Sequence, residues 1–482
     1  MTNTGTSAEC VLVWFRGDLR LGDQPALRAT AATGGPVVPL FVWAPEEDGS
    51  EALGAASRWW LHQSLVALEQ SLQSQGLRLI IRRGPTAQTL LQLADETKAR
   101  RIFCDRVYEP ARLAAEPALE ARLRDKGVSL ESFNGSLLFE PGSIRTVTGG
   151  PFRVFTPFWR ALWNERGALR KPLTKPKGIP APLHWPTSLE IADLGLEPKI
   201  DWAAGIRTAW TPGENTAQER LRRFAQGPVS DYGDDRDRTD RDGTSRLSPH
   251  LHFGEISPIE IWHAVAGRPG AEPYLRQLAW REFAYQLLVE NPETTREPFQ
   301  NEFRRFPWRR NARHLRAWQK GLTGYPFVDA AMRQLWRTGW MHNRARLVVA
   351  SFLAKHLLIP WQQGAAWFLE TLVDADLANN TMGWQWVAGC GVDAAPYFRV
   401  FNPITQGEKF DPDGSYVRQW VPELAGLPNE WIHRPWEAPP LMLAAAGVQL
   451  GTTYPRPLVD HAEARRAALQ AFQEMKQAGR GK

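Results

Sequence analysis

The sequence predicts a two-domain protein, in which an α/β domain with a doubly wound parallel sheet precedes an all-α domain. The chain of 482 residues is too long for a single core. From residue 11 to 135, short apolar runs alternate with helical patterns, as in a parallel sheet with covering helices. From about residue 206 onward the apolar spacing is helical, and β-branched alternation nearly disappears.

Four short apolar runs are predicted as buried strands: residues 11–15, 37–42, 77–81 and 101–104. Leucines at helical spacing between Leu61 and Leu72 predict an intervening helix. The loop at residues 15–23 follows the first strand, at the edge where parallel sheets bind ligands. A Gly-x-Gly-x-x-Gly or phosphate-loop motif is absent from the sequence, so nucleotide hydrolysis is not predicted.

We place the domains at residues 1–135 and 206–482, joined by a connector at residues 136–205 that is rich in proline and glycine. The helical domain is predicted from apolar residues at helical spacing in several segments: 216–224, 274–289, 327–338, 346–358, 365–372 and a charged stretch at 460–477.

The composition indicates an ordinary globular protein, with 43% hydrophobic and 23% charged residues. No apolar run approaches the ~18 residues of a membrane span, and the N-terminus lacks a secretion signal. Cys10, Cys104 and Cys390 are scattered, which favours a reducing compartment and opposes a metal cluster. We therefore expect a cytoplasmic protein without membrane contact or bound metal.

The net charge of +6 is a mild bias toward polyanions. Residues 304–316 contain six arginines and no acidic residue. This segment fits a solvated basic face, and the interleaved Phe306 and Trp308 fit a nucleic-acid surface equally well.

The stretch from Asp374 to Trp386 carries two aspartates, two asparagines and two tryptophans. That mixture fits neither an amphipathic helix nor a strand. Its polar groups suit the edges of a ring system, and its indoles suit stacking or electron transfer. We interpret the stretch as the wall of a pocket for a large aromatic cofactor.

Further motifs follow one another in a recognisable order: the opening segment and residues 243–249, 280–283, 323–332 and 340–344. Together they resemble the photolyase/cryptochrome family of flavoproteins. The resemblance runs from Val11 to about Leu427 through several long, near-complete motifs. It implies FAD in the helical domain and DNA as the partner.

The resemblance implies that the hydroxyl-rich turn at residues 243–248 holds the FAD phosphates, as a helix N-terminus can, although its spacing alone fits an ordinary N-cap better. Asp374 and Arg346 would lie near the flavin ring and ribityl chain, or form an ion pair while lining the pocket. The implied FAD-binding set is Tyr232, Thr244, Ser245, Arg246, Leu247, Ser248, Tyr274, Arg281, Arg346, Asp374, Asp376 and Asn380.

Asn380 matches the family residue that faces flavin N5. Plant cryptochromes resemble this layout with an acid there, and animal ones with a cysteine, so Asn380 favours a repair enzyme. Trp384, Trp361 and Trp308 match the family's tryptophan chain, which passes electrons inward to the excited flavin. Core packing is the better interpretation for any one of them alone. The implied catalytic set is Trp384, Trp361, Trp308, Asn380, Asn343 and Gln277.

The resemblance also implies a site for a flipped-out pyrimidine dimer. The residues that match the family's DNA contacts are Arg236, Trp280, Asn343, Arg344, Trp386 and Gln406. Two further contact positions depart from dimer-repairing members, since Gln277 replaces a glutamate and Leu347 replaces a methionine. An amide still donates a hydrogen bond, so the first change should cost about 1–2 kcal/mol.

Gln277 also matches the (6-4) photoproduct enzymes. Those enzymes carry histidines where this chain has Asn343 and Leu347, and their reaction needs such an acid. His342 is adjacent but would point elsewhere on a helix. The (6-4) reaction is therefore disfavoured.

We therefore predict a deoxyribodipyrimidine photo-lyase, a carbon–carbon lyase that repairs cyclobutane pyrimidine dimers in UV-damaged DNA, acting as a monomer. The alternative is a blue-light photoreceptor with weak or no repair activity. An antenna chromophore stays open, because Ala111 and Arg112 fall where folate-binding members carry an acid and an amide. A deazaflavin, a second flavin or no antenna are the remaining options.

Overall fold

The computed structural model describes residues 9–393 and 398–480. Its first part is a parallel five-stranded sheet with the order β3-β2-β1-β4-β5. The strands are β1 (Val11–Phe15), β2 (Val37–Trp43), β3 (Ile80–Arg83), β4 (Arg101–Asp105) and β5 (Ser129–Phe133). The helices that alternate with them are α1 (Pro25–Ala32), α2 (Pro45–Asp48), α3 (Ala55–Gln73), α4 (Thr86–Thr97) and α5 (Pro110–Arg124).

The sheet is buried on both faces at its centre. Along β1, Val11, Val13 and Phe15 pack into one core, whereas Leu12 and Trp14 pack into another. This is the period-two pattern of a strand that helices cover on both sides. The predicted α/β class is confirmed.

The strand predictions were wrong in detail at the sheet edges. The third strand begins at Ile80 rather than at Leu77, and β5 was not predicted. β5 escaped notice because Ser129, Glu131 and Ser132 interrupt any apolar run, as an edge strand permits.

The rest of the described chain is helical, and no strand follows β5 there, which confirms the predicted all-α part. No helix in residues 9–393 and 398–480 combines the length and apolarity that a bilayer crossing requires. The helices are α6 (Phe155–Glu165), α7 (Ala204–Ala209), α8 (Glu214–Gln226), α9 (Tyr232–Asp235), α10 (Ser248–His252), α11 (Pro258–Val265), α12 (Glu272–Glu290), α13 (Ala312–Gln319), α14 (Pro326–Thr338), α15 (Asn343–Ser351), α16 (Trp361–Thr371), α17 (Leu377–Ala388), α18 (Pro403–Phe410), α19 (Ser415–Trp420), α20 (Pro440–Ala445) and α21 (His461–Arg480).

Helix α6 lies inside the segment that we interpret as a connector. It presents Phe155, Phe158 and Trp159 to a core that it shares with α12. The surrounding proline and glycine concealed this short amphipathic pattern in the sequence.

A π-helical turn at Phe352–His356 continues α15 and buries a lysine. The Lys355 ammonium donates a hydrogen bond to the Arg399 carbonyl oxygen at 2.6 Å and lies 4.0 Å from the centre of the Phe398 ring. It forms no ion pair within the described residues. Burial lowers the pKa of Lys355 to about 7.

We expect Lys355 to make the free energy of unfolding depend on pH. Its pKa is lower in the folded protein than in the unfolded chain, so between pH 7 and the ordinary lysine pKa the unfolded chain binds more protons. Stability should therefore rise with pH across that window. Urea unfolding at pH 7, 8 and 9 should show a smaller rise for Lys355→Met than for the unmodified protein. Parallel pH profiles would contradict this account.

Candidate functional site

A cavity of about 430 Å³ opens between α12, α15, α16 and α17. That volume is in the range of small-molecule and cofactor sites. Of the residues predicted for FAD and electron transfer, it is lined by Arg346, Asp374, Asp376, Asn380 and Trp384. Of those predicted for DNA, it is lined by Arg236, Gln277, Trp280, Asn343, Leu347 and Trp386. The fold thus brings both groups to one continuous space.

The deepest polar contact in the wall is an ion pair. Arg346 Nη2 donates to both Asp374 oxygens, at 3.0 and 2.8 Å, and Ser248 Oγ donates to the same carboxylate at 2.6 Å. Arg346 Nε also donates to the Met341 carbonyl oxygen at 2.8 Å, which orients the guanidinium. The pair therefore has both structural partners and a face on the cavity.

Asp376 and Asn380 lie at the start of α17. Asp376 is the N-cap, and its carboxylate accepts from the Asn379 backbone N–H at 2.8 Å and from Tyr285 at 2.6 Å. Burial, and then the neighbouring Asp376, hold the pKa of Tyr285 well above its ordinary value. Asn380 Nδ2 donates to the Ala365 carbonyl oxygen at 3.1 Å. The Asn380 amide oxygen takes no part in that hydrogen bond.

The hydroxyl-rich turn precedes α10 and adopts an irregular backbone. Arg246 has a φ of +50°, in the left-handed region that few side chains adopt. Tyr274 donates to Ser245 Oγ at 3.0 Å, and Tyr232 packs edge-on against the Tyr274 ring. Thr244 Oγ1 is buried without a partner among the described residues. A buried unpaired hydroxyl suits a ligand oxygen.

The three predicted electron-transfer tryptophans differ in exposure, with two buried and one half-buried. Trp384 lines the cavity and is 2% exposed, Trp361 is 1% exposed, and Trp308 is only half-buried. Trp361 begins α16, and Gly364 one turn later packs directly against the Trp384 ring. The backbone N–H of Arg309 donates to the Leu358 carbonyl oxygen at 2.7 Å, which ties the Trp308 loop to the segment entering α16.

Among the predicted DNA contacts that line the cavity, three already have partners within the protein. Gln277 Nε2 donates to the Pro273 carbonyl oxygen at 3.1 Å, and Arg236 donates to Gln277 Oε1 at 3.4 Å. Trp280 stacks on Phe155 with 3.6 Å between ring centres, so that one indole face is covered.

Twelve of the predicted residues do not line this cavity: Trp308, Trp361, Tyr232, Thr244, Ser245, Arg246, Leu247, Ser248, Tyr274, Arg281, Arg344 and Gln406. Arg281 donates to the Ser136 carbonyl oxygen at 2.7 Å, and Arg344 donates to Asp237 at 2.5 Å. Gln406 lies on α18, Leu247 is buried before α10, and Trp308 lies at the surface end of its loop.

His342 also lies off the cavity, as expected. It caps α15 by accepting the Arg344 backbone N–H at Nδ1, at 3.2 Å, and burial lowers its pKa to about 4. It is therefore neutral near pH 7 and is a poor general acid there.

The sequence reasoning missed most of the apolar lining of this cavity, including Met382, and it missed Phe155, which stacks on the lining residue Trp280. Phe155 supports Trp280 from a segment interpreted as a connector, and no local signal pairs the two. Met382 lines the cavity on α17, two residues after Asn380. Its position inside the Asp374–Trp386 stretch was the available signal.

A second cavity, of about 490 Å³, lies at the carboxyl edge of the sheet. Two ion pairs close part of its wall, Arg112–Asp48 at 2.8 Å and Arg16–Glu116 at 3.0 Å. Leu377 from the start of α17 also lines it, so the two cavities approach the same helix.

Comparison with known proteins supports the predicted family. Residues 11–177 match the family model of DNA photolyase, and residues 274–474 match that of the FAD binding domain of DNA photolyase. The chain is 48% identical over 473 residues to the deoxyribodipyrimidine photo-lyase of Agrobacterium fabrum, covering 97% of this chain and 98% of the relative.

The chain is 40% identical to cryptochrome-1 of Arabidopsis thaliana, over 97% of this chain and 71% of the plant protein. Its structure is similar to that of a bacterial class III photolyase from Agrobacterium tumefaciens, with a TM-score of 0.95 and 46% identity over 99% of each chain. The chain therefore belongs to the DNA photolyase family, and its helical part is the family's FAD-binding domain.

We expect Gly364→Ala to displace the Trp384 ring, because a Cβ at position 364 would overlap that ring and approach Leu353. Such overpacking should lower the free energy of unfolding by about 1–3 kcal/mol. Gly167→Ala is the matched control, since a Cβ there meets nothing within 4 Å. Equal thermal unfolding midpoints for the two variants would refute the close packing of α16 on Trp384.

Proposed function

We propose that this protein repairs cyclobutane pyrimidine dimers in DNA by light-driven electron transfer from FAD. One observation carries the proposal: four flavin-matching residues line the same cavity as six dimer-matching residues. The four are Arg346, Asp374, Asp376 and Asn380, and the six are Arg236, Gln277, Trp280, Asn343, Leu347 and Trp386. Electron transfer falls off steeply with distance, so a shared space is the geometry that the reaction requires. The 48% identity to a deoxyribodipyrimidine photo-lyase across nearly both full chains supports the same activity.

The residues at the cavity fit FAD. Outside the cavity lining, the hydroxyl-rich turn offers the unpartnered Thr244 hydroxyl and the O–H of Ser245, which accepts from Tyr274, as donors for phosphate oxygens. Arg346 and Asp374 offer a paired charge beside the ring, and Asn380 offers an amide to its central edge. When bound and reduced, FAD supplies an excited electron donor.

Trp384, Trp361 and Trp308 would resupply electrons from the surface to the cofactor. Trp308 is more exposed than the buried Trp361 and Trp384, which supports electron transfer from the surface inward. An oxidised indole loses its N–H proton readily, and Trp384 Nε1 has no partner among the described residues to take it. The half-buried Trp308 is in contact with water, which favours the positive charge coming to rest there.

Trp280, Trp386 and Leu347 would form the apolar walls around an extruded dimer, with Arg236 and Asn343 at the polar edge. A base can stack on the face of Trp280 that Phe155 leaves open. The buried His342 opposes the (6-4) reaction because it does not line the cavity and because its lowered pKa disfavours the imidazolium form that would act as the acid.

The alternative, a blue-light photoreceptor, has one supporting observation. Both polar atoms of the Gln277 amide already form hydrogen bonds, the nitrogen to Pro273 and the oxygen with Arg236. Gln277 therefore has less hydrogen-bonding capacity left for a dimer than a free carboxylate would have. Repair of a thymine dimer in an oligonucleotide under blue light, followed by chromatography, distinguishes the two. Undiminished dimer with fully reduced flavin would establish the photoreceptor.

We also propose that the second cavity takes a second planar chromophore. Its carboxylate acceptors suit ring N–H groups: Glu109 lies at its wall, and Glu51, whose pKa burial raises, accepts from the Ala111 backbone N–H at 3.0 Å through one oxygen. A flavin or deazaflavin ring carries such donors. Ala375 lines both cavities, so a chromophore in the second cavity would lie beside the first cavity, as through-space energy transfer requires.

Gln277→Glu should raise the repair yield. The new carboxylate would accept from Arg236, now 3.4 Å from Oε1, and would provide a charged partner for the dimer. A charge-assisted bond in place of a neutral one adds about 1–2 kcal/mol, or roughly five- to thirtyfold in dimer affinity. Gln277→Leu, which keeps the volume and removes both bonds, is the control and should weaken binding. An unchanged or lower yield for Gln277→Glu would refute this role of position 277.

Ala115→Trp should block the second cavity, because Ala115 lines it. Its neighbour Ala114 is equally an exposed residue but does not line the cavity. Ala114→Trp is therefore the matched control. Purified Ala115→Trp protein should lose any absorption beyond that of FAD, or fail to take up added flavin at a second site by titration. Equal second-site uptake by both variants would place the chromophore elsewhere.

A further inference from the structure

The arginine-rich segment at residues 304–316 is not explained by the dimer site. None of its residues lines the cavity. Arg304 pairs with Glu297 at 3.0 Å. Its other arginines are exposed and form no ion pair in the part of the chain that the structure describes: Arg305, Arg309, Arg310, Arg313 and Arg316. The segment therefore carries uncompensated positive charge at the surface.

The sequence around the segment keeps that charge unscreened. No acidic residue occurs between Glu302 and Asp329. Glu302 is paired with Lys476, and Asp329 is buried and accepts from Thr323 and Tyr454. Neither acid is therefore available to neutralise the arginines.

Trp308 lies between arginines of this segment in the sequence. It is half-buried, with its ring centre 4.5 Å from that of Phe306, so part of the indole faces water. Consecutive Cα atoms are about 3.8 Å apart, so the backbones of Arg309 and Arg310 lie within about 8 Å of Trp308. Arg305, Arg309 and Arg310 thus flank Trp308 closely along the chain, and their positive field reaches ~8–10 Å from each guanidinium in physiological salt.

We infer that this surface recruits a small anionic one-electron donor to Trp308. The inference rests on the proposed electron chain, in which Trp308 is the outermost member. Once Trp308 has passed an electron to Trp361, its indole is oxidised and its N–H proton leaves to water. An ascorbate-type anion then returns one electron and one proton to the indole, and departs as its own radical.

Arginine is suited to this role because its guanidinium stays charged at every physiological pH. A cluster of one sign raises the local concentration of an opposite ion and its encounter rate by about 10- to 1,000-fold. Trp308 radicals that wait for a donor can take their electron back from the interior. Faster refilling from solution would therefore increase the fraction of electrons that stay with the cofactor.

The test measures how fast the oxidised tryptophan disappears after a laser flash, by transient absorption of the FAD-loaded protein. Potassium ferrocyanide is the anionic donor and hydroxymethylferrocene the neutral one. The triple variant Arg305→Gln/Arg309→Gln/Arg310→Gln should slow the reaction with ferrocyanide by about fivefold or more at low salt. The reaction with hydroxymethylferrocene should keep its rate.

The matched control is Arg28→Gln/Arg78→Gln/Arg100→Gln, which removes three exposed arginines from the α/β part and should change neither rate. Added salt should slow ferrocyanide with the unmodified protein and have little effect with the triple variant.

Equal ferrocyanide rates for the unmodified protein and the triple variant would overturn the inference. It is also overturned if the triple variant instead loses affinity for an oligonucleotide, since the segment would then bind DNA. Absence of any oxidised-tryptophan signal in the unmodified protein would refute the electron chain itself and this inference with it.

Discussion

The arrangement of the segments around the cavity depends on the hydrogen bonds and the ion pair made by the buried Asp374 carboxylate. The carboxylate accepts from Arg346 on α15 and from Ser248 at the start of α10, and so joins three segments that are remote in sequence. Removing one partner of such a pair leaves an uncompensated buried charge, at a cost of about 3–5 kcal/mol. Because Asp374 closely precedes the Asp376 cap of α17, the ion pair also sets where Asn380 and Trp384 lie.

Helix α17 carries both a residue that faces the cavity and the first tryptophan of the proposed electron chain. Its first turn offers Asn380 to the cavity, and its second turn places Trp384 against Gly364 of α16. Electrons would enter on the Trp384 side and leave toward the wall formed by Trp280 and Trp386. A single rigid element therefore holds the distance between electron supply and substrate, which flexible loops would not hold constant.

The fold class and part of the cavity lining could be predicted from the sequence, because long motifs and apolar periodicity are local properties. The central strands β1 and β2 were predicted at their observed starts, since their apolar runs are continuous. The edge strand β5 and helix α6 were not, because polar residues and nearby prolines mask their patterns. Bounds of elements depend on pairing with distant segments, and local patterns do not contain that information.

The sequence by itself determined the family, the FAD-binding part and the residue types that line the cavity, because chemistry constrains which side chains a motif carries. Only the tertiary structure decided which of these side chains are free to act. Arg344 is held by Asp237, Gln277 by Arg236 and Pro273, and Trp280 on one face by Phe155. Each partner except Pro273 is at least 40 positions away in the chain. Hydrogen bonds and stacking form between neighbours in space, so the availability of a functional group is a property of the folded chain.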